Sequence, residues 1–282
     1  MPLVKTDEML RKAQGRKYAV GAFNVENMEM TQAVIQSAEE LNAPVILQTT
    51  PSTVRYAELT LYSAMTIALA NKAKIPVALH LDHGNSFELC VQALQAGYTS
   101  IMIDGSKLPL EQNIALTRKV VEMCEAAGVP VEGEIGRVGG KEDDLACEDA
   151  GYTIPSEAVR FEKETGLSSM AVGVGTAHGV YKTTPVLNTG LIGELKGLLT
   201  VPMVLHGASG LSDEAIQECV LRGMCKVNFA TELRIAYSRG VKATLKENPD
   251  VFDPKAYGRV ARERVKELVK SRMRVCGCDG KA

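Results

Sequence analysis

The sequence predicts an α/β fold, a single-domain (β/α)8 barrel (TIM barrel) that covers residues 1–282. Three observations support this prediction. Short runs rich in β-branched residues alternate with helical patterns eight times along the chain. No low-complexity tract, proline- or serine-rich hinge or long charge run divides the chain. The polar residues that can carry chemistry follow the ends of the predicted strands, where active sites lie in barrels of this kind.

The candidate strands are spaced by about the length of one strand–helix unit, for which ~30 residues suffice. They are predicted at residues 20–25, 44–49, 75–82, 100–104, 129–134, 170–174, 201–205 and 225–229. Strict alternation with helices implies a parallel sheet, and eight units in a chain of 282 residues favour closure into a barrel. A dinucleotide-binding sheet is disfavoured, because the G-x-G-x-x-G fingerprint is missing after the first strand.

Amphipathic patterns between the strands predict helices, and several of them have a clear stop signal. Four such helices are predicted at residues 28–41, 87–96, 109–127 and 213–221. The first ends at Asn42, and the others end at Gly97, Gly128 and Gly223. Glycine just past a helix suits the left-handed backbone conformation in which many helices end.

The composition is that of an ordinary globular protein, with 45% hydrophobic residues and a formal net charge of −2. This near-neutral charge does not indicate nucleic acid as a partner. No stretch approaches the ~20 apolar residues of a membrane span, and the first residues lack the apolar run of a signal peptide, so we expect a cytoplasmic protein. Seven cysteines at irregular spacings, among them Cys276 and Cys278, predict reduced thiols.

All four histidines lie at or just after predicted strand ends. His83, His178 and His206 follow the third, sixth and seventh strands. A single histidine there is more often a satisfied polar residue, but three together favour zinc. Catalytic zinc sites use three protein ligands, commonly imidazole, plus an open position. His80 shares a strand face with Asp82 by alternation, and we expect it to support the site from the core.

Carboxylates end two further strands and have two alternative interpretations. Asp104 and Glu134 can hold a second or displaced metal position. Alternatively, they can form ion pairs with nearby cations, Lys107 and Arg137. The residues alone leave these alternatives open. Glu132 shares a strand face with Glu134, and we expect it to support the site and not to catalyse.

Two loops that follow the last two strands are candidate phosphate sites. Residues 206–210 read His-Gly-Ala-Ser-Gly, and residues 228–231 read Asn-Phe-Ala-Thr. Small residues let backbone N–H groups approach phosphate oxygens, and phosphate sites are frequent at this position in the fold. A third loop, residues 137–144, is polar and glycine-hinged and contains Glu142. It is a candidate lid with a mobile carboxylate.

Four segments taken together resemble the class II aldolases that act on ketose bisphosphates. They are residues 79–84 (Leu-His-Leu-Asp-His-Gly), 175–179 (Gly-Thr-Ala-His-Gly), 205–209 (Leu-His-Gly-Ala-Ser) and 226–228 (Lys-Val-Asn). The similarity runs from about Tyr18 to the end of the sequence, with motif order and spacing kept. Within the family, Thr50-Pro51, Ala230 and residues 275–277 resemble the tagatose-bisphosphate branch more than the fructose-bisphosphate branch.

The resemblance implies one catalytic zinc held by His83, His178 and His206. It also implies that Asp104 and Glu134 bind a second or alternative metal position. A monovalent cation, Na+ or K+, is expected close to the substrate phosphate. The reaction implied is the reversible cleavage of a ketose 1,6-bisphosphate, with tagatose favoured, into dihydroxyacetone phosphate and glyceraldehyde 3-phosphate.

The resemblance also implies roles in proton transfer and substrate binding. Asp82 matches the residue that exchanges a proton with the C4 hydroxyl, and Glu142 matches a loop carboxylate that moves the carbon-bound proton. The positions matched to substrate binding are Asn24, Thr50, Gly179, Lys182, Gly207, Ala208, Ser209, Asn228, Phe229, Ala230, Thr231 and Arg262.

Alternatives to this function are a fructose-1,6-bisphosphate aldolase of glycolysis and a non-catalytic phosphosugar-binding or accessory subunit. A class I aldolase would instead use a lysine Schiff base, for which Lys107 and Lys182 are the lysines near the mouth. The expected partners are the sugar bisphosphate and further copies of the chain, in a dimer or tetramer. Neither nucleic acid nor a membrane is expected as a partner.

Overall fold

The computed structural model describes residues 3–142, 145–147, 151–181 and 185–282, with the backbone alone for residues 141–142 and 145–147. Its strands are β1 (Val20–Asn24), β2 (Val45–Thr49), β3 (Val77–Gly84), β4 (Ser100–Ile103), β5 (Val131–Ile135), β6 (Gly139–Glu142), β7 (Leu145–Cys147), β8 (Ser169–Val172), β9 (Ala177–His178), β10 (Met203–Leu205) and β11 (Met224–Phe229). Its helices are α1 (Thr6–Arg16), α2 (Met28–Glu40), α3 (Pro51–Ala57), α4 (Leu59–Ala70), α5 (Phe87–Gln95), α6 (Leu110–Glu125), α7 (Pro155–Thr165), α8 (Thr189–Leu198), α9 (Asp213–Arg222), α10 (Thr231–Glu247) and α11 (Pro254–Val275).

Eight strands form a closed parallel barrel in the order β1, β11, β10, β8, β5, β4, β3 and β2. This confirms the predicted (β/α)8 barrel. Each predicted strand overlaps one barrel strand, with ends that differ by at most two residues. The barrel strands are buried throughout, as expected where helices cover the outside and side chains fill the inside.

Prolines mark the beginnings of four barrel strands. Pro44, Pro76, Pro130 and Pro202 directly precede β2, β3, β5 and β10. Proline has no N–H to donate to a neighbouring strand, so it is tolerated at the first position of a ladder but not inside it. Its carbonyl still accepts, as when the backbone N–H of Val45 donates to Pro76 O at 3.0 Å. Local sequence signals therefore mark the end of the barrel at which the strands begin, which we call its lower end.

Helix ends follow the signals in the sequence. At the N-terminus of α2, the Asn27 side chain accepts a hydrogen bond from the backbone N–H of Met30 at 2.9 Å. Ser86 and Ser212 cap α5 and α9 in the same way. Gly97 and Gly128 follow α5 and α6 with φ of +86° and +61°, a conformation that costs glycine little.

Three further strands form a small separate sheet in the order β7, β6 and β9. β6 lies in the loop that the sequence identifies as a candidate lid, residues 137–144, and pairs antiparallel with β7, which follows that loop. β6 also pairs in parallel with β9, where Gly140 is opposite His178. The sequence does not predict this sheet, because strands of two to four residues are too short to show a periodic pattern.

The lower end of the barrel is covered by α1 and the segment before it. The backbone N–H of Val4 donates to Val77 O at 2.8 Å, and Thr6 Oγ1 donates to Ser100 Oγ at 2.9 Å. At the other end of the chain, α10 and α11 pack against each other, and α11 packs on α2. In the described parts of the chain, no helix is long and apolar enough to cross a membrane.

Candidate active site

An irregularity in β3 places two consecutive site residues on the same side. Alternation in a regular strand points neighbouring side chains to opposite faces. The pairing of β3 with β4 shifts register between Leu81 and Gly84, and His83 has φ of +50°. A β-bulge of this kind redirects a side chain, at the cost of a left-handed conformation that a non-glycine residue rarely adopts. As a result, Asp82 and His83 both lie in the barrel mouth, with His83 Nε2 3.9 Å from Asp82 Oδ1.

The three predicted zinc-binding histidines lie together. His83 comes from β3, His178 from β9, and His206 follows β10. One ring nitrogen of each lies within 4.8 Å of the others. The ring centroids of His83 and His178 are 5.1 Å apart, and those of His83 and His206 are 4.6 Å apart. Three strands that are distant in sequence therefore present imidazole nitrogens to one small volume.

Two of these imidazoles are oriented by carboxylates. His83 Nδ1 lies 2.9 Å from Asp104 Oδ2, and His206 Nε2 lies 2.9 Å from Glu132 Oε1. A carboxylate only accepts, so each of these nitrogens donates, and a neutral ring then has a lone pair on its other nitrogen. Those other nitrogens, His83 Nε2 and His206 Nδ1, face each other at 2.9 Å. Two lone pairs this close repel each other, and either a proton or a metal ion between them relieves the repulsion.

The electrostatics of the three rings point in the same direction. Burial opposes the charged form of His83, but the carboxylates of Asp82, Asp104 and Glu134 outweigh it and raise the pKa of His83 well above its ordinary value. Burial, followed by the charge of His83, lowers the pKa of His206 well below its ordinary value. The same causes lower the pKa of His178. The site thus favours one positive charge, on His83, beside two neutral rings, and a bound metal ion would supply a positive charge at the same place.

Asp104 and Glu134 complete a second candidate ligand group with His83. Burial works against ionisation of Asp104, but hydrogen bonds from His83 and Ser106 prevail and lower its pKa. Glu134 differs, because burial and then the charge of Asp104 raise its pKa to about 8. Among the described residues, Glu134 Oε2 has no hydrogen-bond partner and lies 3.6 Å from His206 Nδ1. These residues fit a metal ion in the mouth, with carboxylate oxygens available beside the histidines.

Asp82 is held by three amide side chains. Asn24 Nδ2 donates to Asp82 Oδ2 at 2.8 Å, Gln48 Nε2 donates to the same oxygen at 3.1 Å, and Asn228 Nδ2 donates to Asp82 Oδ1 at 3.1 Å. Gln48 Nε2 also donates to Asn24 Oδ1 at 2.8 Å. These bonds fix the carboxylate in one orientation next to His83. The side chains of Asn24 and Asn228, expected to bind substrate, here position Asp82.

The predicted phosphate loops are hydrogen-bonded to each other and to the segment that carries His178. Tyr181 OH donates to Gly207 O at 2.7 Å and accepts from the backbone N–H of Ala177 at 2.8 Å. Ser209 Oγ accepts from the backbone N–H of Ala230 at 3.2 Å, which joins the two loops. Gly207 has φ of +68°, and a Cβ there would lie 2.7 Å from Ala177 O. Glycine is therefore required for this close approach.

The remaining predicted substrate residues lie in the loops, at a helix N-terminus or in the core. Ala208 is buried, and Gly179 has φ of +87° next to His178. Thr231 begins α10, so it lies at a helix N-terminus, a favourable place for an anion. Phe229 is fully buried and stacks on Phe23 at a centroid distance of 5.5 Å, so its side chain belongs to the core.

Four predicted residues either have other contacts in the structure or are not fully described. Thr50 caps α3, where its side chain accepts from the backbone N–H of Thr53. Arg262 lies on α11 and donates to Gln32 of α2 at 2.7 Å. Lys182 lies outside the described residues, and Glu142 is described only as the last backbone position of β6.

Several polar residues that the sequence did not single out as site residues lie at or after the carboxyl ends of β1, β2 and β11. Gln48 donates to Asp82 and is buried. A polar residue at the end of a predicted buried strand is the sequence signal that could have identified Gln48. Arg234 Nε donates to Glu26 Oε1 at 2.7 Å, and Thr53 Oγ1 donates to Glu26 Oε2 at 2.8 Å. Arg234 comes one turn after Thr231, but its partner lies 208 residues away in sequence. No local sequence pattern predicts such a pair.

The sequence matches the family described as fructose-bisphosphate aldolase class-II over residues 4–281. The structure is similar to the YdjI aldolase from Escherichia coli K12, with 36% sequence identity, 99% of both chains covered and a TM-score of 0.88. It is also similar to a candidate fructose-1,6-bisphosphate aldolase from Coccidioides immitis, with 28% identity, 97% of this chain and 96% of that chain covered, and a TM-score of 0.88. Similarity to the fructose-bisphosphate aldolase of Campylobacter jejuni, at 22% identity, a TM-score of 0.83 and coverage of 100% and 97%, supports the fold.

These matches extend over nearly the whole chain, and they agree with a barrel whose mouth collects three histidines and a held aspartate. The family consists of aldolases that act on sugar bisphosphates, and the chain is an enzyme of this lyase type. The chain belongs to the class II fructose-bisphosphate aldolase family.

Proposed function

We propose that this protein catalyses the zinc-dependent, reversible aldol cleavage of a ketose 1,6-bisphosphate, with tagatose 1,6-bisphosphate favoured. The products are dihydroxyacetone phosphate and glyceraldehyde 3-phosphate. The observation that carries the proposal is the approach of His83 Nε2 to His206 Nδ1 at 2.9 Å, beside His178 and next to Asp82. Family membership supports the reaction type.

The metal would be held by His83, His178 and His206, with Asp104 and Glu134 providing a second or alternative position. When bound, zinc acts as a Lewis acid that stabilises the negative charge developing on substrate oxygen as the C3–C4 bond breaks. The protein would keep the ligand nitrogens of His83 and His206 unprotonated and directed at the metal position. Asp104 and Glu132 do this by accepting the other N–H of His83 and His206.

Asp82 is the residue we assign to the C4 hydroxyl. Cleavage requires that this hydroxyl lose its proton, and condensation requires that the proton return. The amide groups of Asn24, Gln48 and Asn228 keep the carboxylate in place, so little reorganisation is needed when the proton moves. Glu142 would donate a proton to the substrate carbon that is released from C4 in cleavage, and remove that proton in condensation. Glu142 belongs to the candidate lid, whose strand β6 pairs with β9.

The dihydroxyacetone phosphate half would bind the two phosphate loops. Gly179, Gly207 and Ser209 provide close backbone approach and a hydroxyl, and Thr231 provides a helix N-terminus. Ala208, Asn228, Phe229 and Ala230 would contribute through the same two loops, and Lys182 would add positive charge. A monovalent cation, Na+ or K+, would accompany the phosphate there. Asn24, Thr50 and Arg262 stay predictions for the rest of the substrate, Arg262 through contact between copies in a homo-oligomer.

The preference for tagatose rests on Thr50-Pro51 and Ala230, which resemble the tagatose branch. Tagatose and fructose 1,6-bisphosphate differ only in configuration at C4, so both are cleaved to the same products. The test is to measure cleavage rates of the two sugars side by side, with chelator, and after zinc is restored. We expect cleavage that is abolished by chelator, recovered with zinc, and faster for tagatose 1,6-bisphosphate.

Each part of the proposal has its own contrary outcome. Faster cleavage of the fructose epimer would reassign the substrate and leave the metal mechanism intact. Activity that survives the chelator, together with trapping of substrate on the protein by borohydride, would indicate Schiff-base chemistry instead. Zinc-loaded protein that binds but cleaves neither sugar would indicate a non-catalytic phosphosugar-binding subunit.

A further inference from the structure

A lysine is buried inside the barrel beneath the three histidines. Lys226 lies on β11, and its side chain is 0% exposed. Its Nζ is 2.8 Å from Glu132 Oε2 and 3.4 Å from His80 Nε2. An ammonium group this deeply buried is costly unless a charged partner compensates it. Glu132 is that partner, and its own side chain is 1% exposed.

Glu132 connects this lysine to the proposed metal ligand His206. One carboxylate oxygen, Oε2, contacts Lys226, and the other, Oε1, lies 2.9 Å from His206 Nε2. The three side chains come from β11, β5 and the end of β10, and all three are buried. The orientation of the carboxylate is therefore set from both sides, by the ammonium group below and the imidazole above.

The lysine is in turn confined by a polar chain that reaches the lower end of the barrel. His80 Nδ1 lies 2.7 Å from Ser100 Oγ, which accepts from Thr6 Oγ1 of α1 at 2.9 Å. This chain holds the His80 ring against Lys226. Because each member is tied to the next, the ammonium group has one well-defined position under Glu132.

We infer that Lys226 is a positioning residue for metal binding, which acts through Glu132 to hold His206 with Nδ1 directed at the metal. Without the ammonium group, Glu132 would be a buried carboxylate free to turn away from His206. The His206 ring would then lose the acceptor that fixes its tautomer and orientation, and partners of this kind typically contribute ~10–100-fold in metal affinity. The inference rests on the proposed metal site.

The test is a double-mutant cycle read out as zinc affinity by competition with a chromophoric chelator. Lys226→Met removes the charge at similar length, and Glu132→Gln keeps an acceptor for His206 at similar shape. We expect Lys226→Met to weaken zinc binding by about 10–100-fold. In the Glu132→Gln background the same substitution is expected to change the affinity by less than about threefold, because the amide NH2 that replaces Oε2 cannot accept from Lys226, so the link between Lys226 and residue 132 is already cut. The cobalt-substituted protein should show the same pattern in its visible absorption bands.

Val227→Ala is the matched structural control, since Val227 is the next residue of β11 and is fully buried. It is expected to lower the thermal midpoint of the metal-free protein and leave zinc affinity unchanged. If Lys226→Met does not fold, Lys226→Gln takes its place in the cycle. Wild-type protein that binds no zinc would overturn both the proposed function and this inference. Wild-type protein that binds zinc, with Lys226→Met equally tight or equally weakened in both backgrounds, would overturn the inference alone.

Discussion

Gly140 and His178 lie opposite each other across the pairing of β6 with β9. The strand that carries Glu142 is therefore joined by its backbone to one of the three site histidines. This contact is very close, because a Cβ on Gly140 would lie 2.2 Å from His178 O. Strand β6, the described strand of the candidate lid, and the segment that carries His178 consequently form one structural unit.

Gly140→Ala is expected to separate that unit. Alanine at φ of +85° is strained, and its Cβ would push the backbone of His178 away. A displacement of about 1 Å can cost ~10²-fold in rate, so we expect turnover to fall by about that factor. Steady-state kinetics with the zinc-loaded enzyme check this. Gly151→Ala is the control, because its nearest neighbour, Arg137 Cβ, is 3.8 Å away, and it should keep near-normal turnover.

His178→Ala is expected to lose zinc and activity together. The substitution leaves His83 and His206 as the remaining imidazoles, one short of the three protein ligands that a catalytic zinc site uses. Bound zinc stabilises the folded state of the wild type, so added zinc should raise its thermal midpoint and not that of the variant. Zinc content of the purified proteins provides a second measurement. A variant with full zinc content would remove His178 from the ligand set.

Asp82→Ala is expected to keep zinc but lose most turnover. General acid–base groups contribute typically ~10²–10⁴-fold, and we expect a loss in that range. Asp82 accepts from three amide groups, so the thermal midpoint should be measured alongside to separate misfolding from lost chemistry. Normal turnover in a folded, zinc-containing Asp82→Ala protein would rule out the role assigned here.

Tyr181→Phe is expected to weaken substrate binding more than chemistry. The hydroxyl bridges Ala177 and Gly207, and its loss leaves a backbone N–H and a carbonyl without this partner, at a cost of about 1–3 kcal/mol. If ~1.4 kcal/mol of that cost appears in binding, KM for the bisphosphate rises about tenfold. Tyr98→Phe is the control, because its hydroxyl pairs with Thr49 instead. An unchanged KM in Tyr181→Phe would show that the phosphate loop keeps its position without this bridge.

The barrel and the identity of the histidines could be predicted from the sequence, because those signals are local. Alternating strands and helices predict parallel pairing, and the glycines after α5 and α6 mark helix ends through their left-handed conformation. His83, His178 and His206 follow predicted strands, and parallel strands in a closed barrel bring their carboxyl ends to one mouth.

Other features required the closed barrel itself. Alternation alone places Asp82 and His83 on opposite faces, and only the bulge in β3 turns both into the mouth. The contact of Lys226 with Glu132 spans 94 residues, and no periodicity predicts which of the inward side chains meet across a barrel. Local propensity thus determined the strands and the candidate ligands in this protein. Tertiary packing decided which ring nitrogens face each other and which charges pair, since these depend on distances set only when the barrel closes.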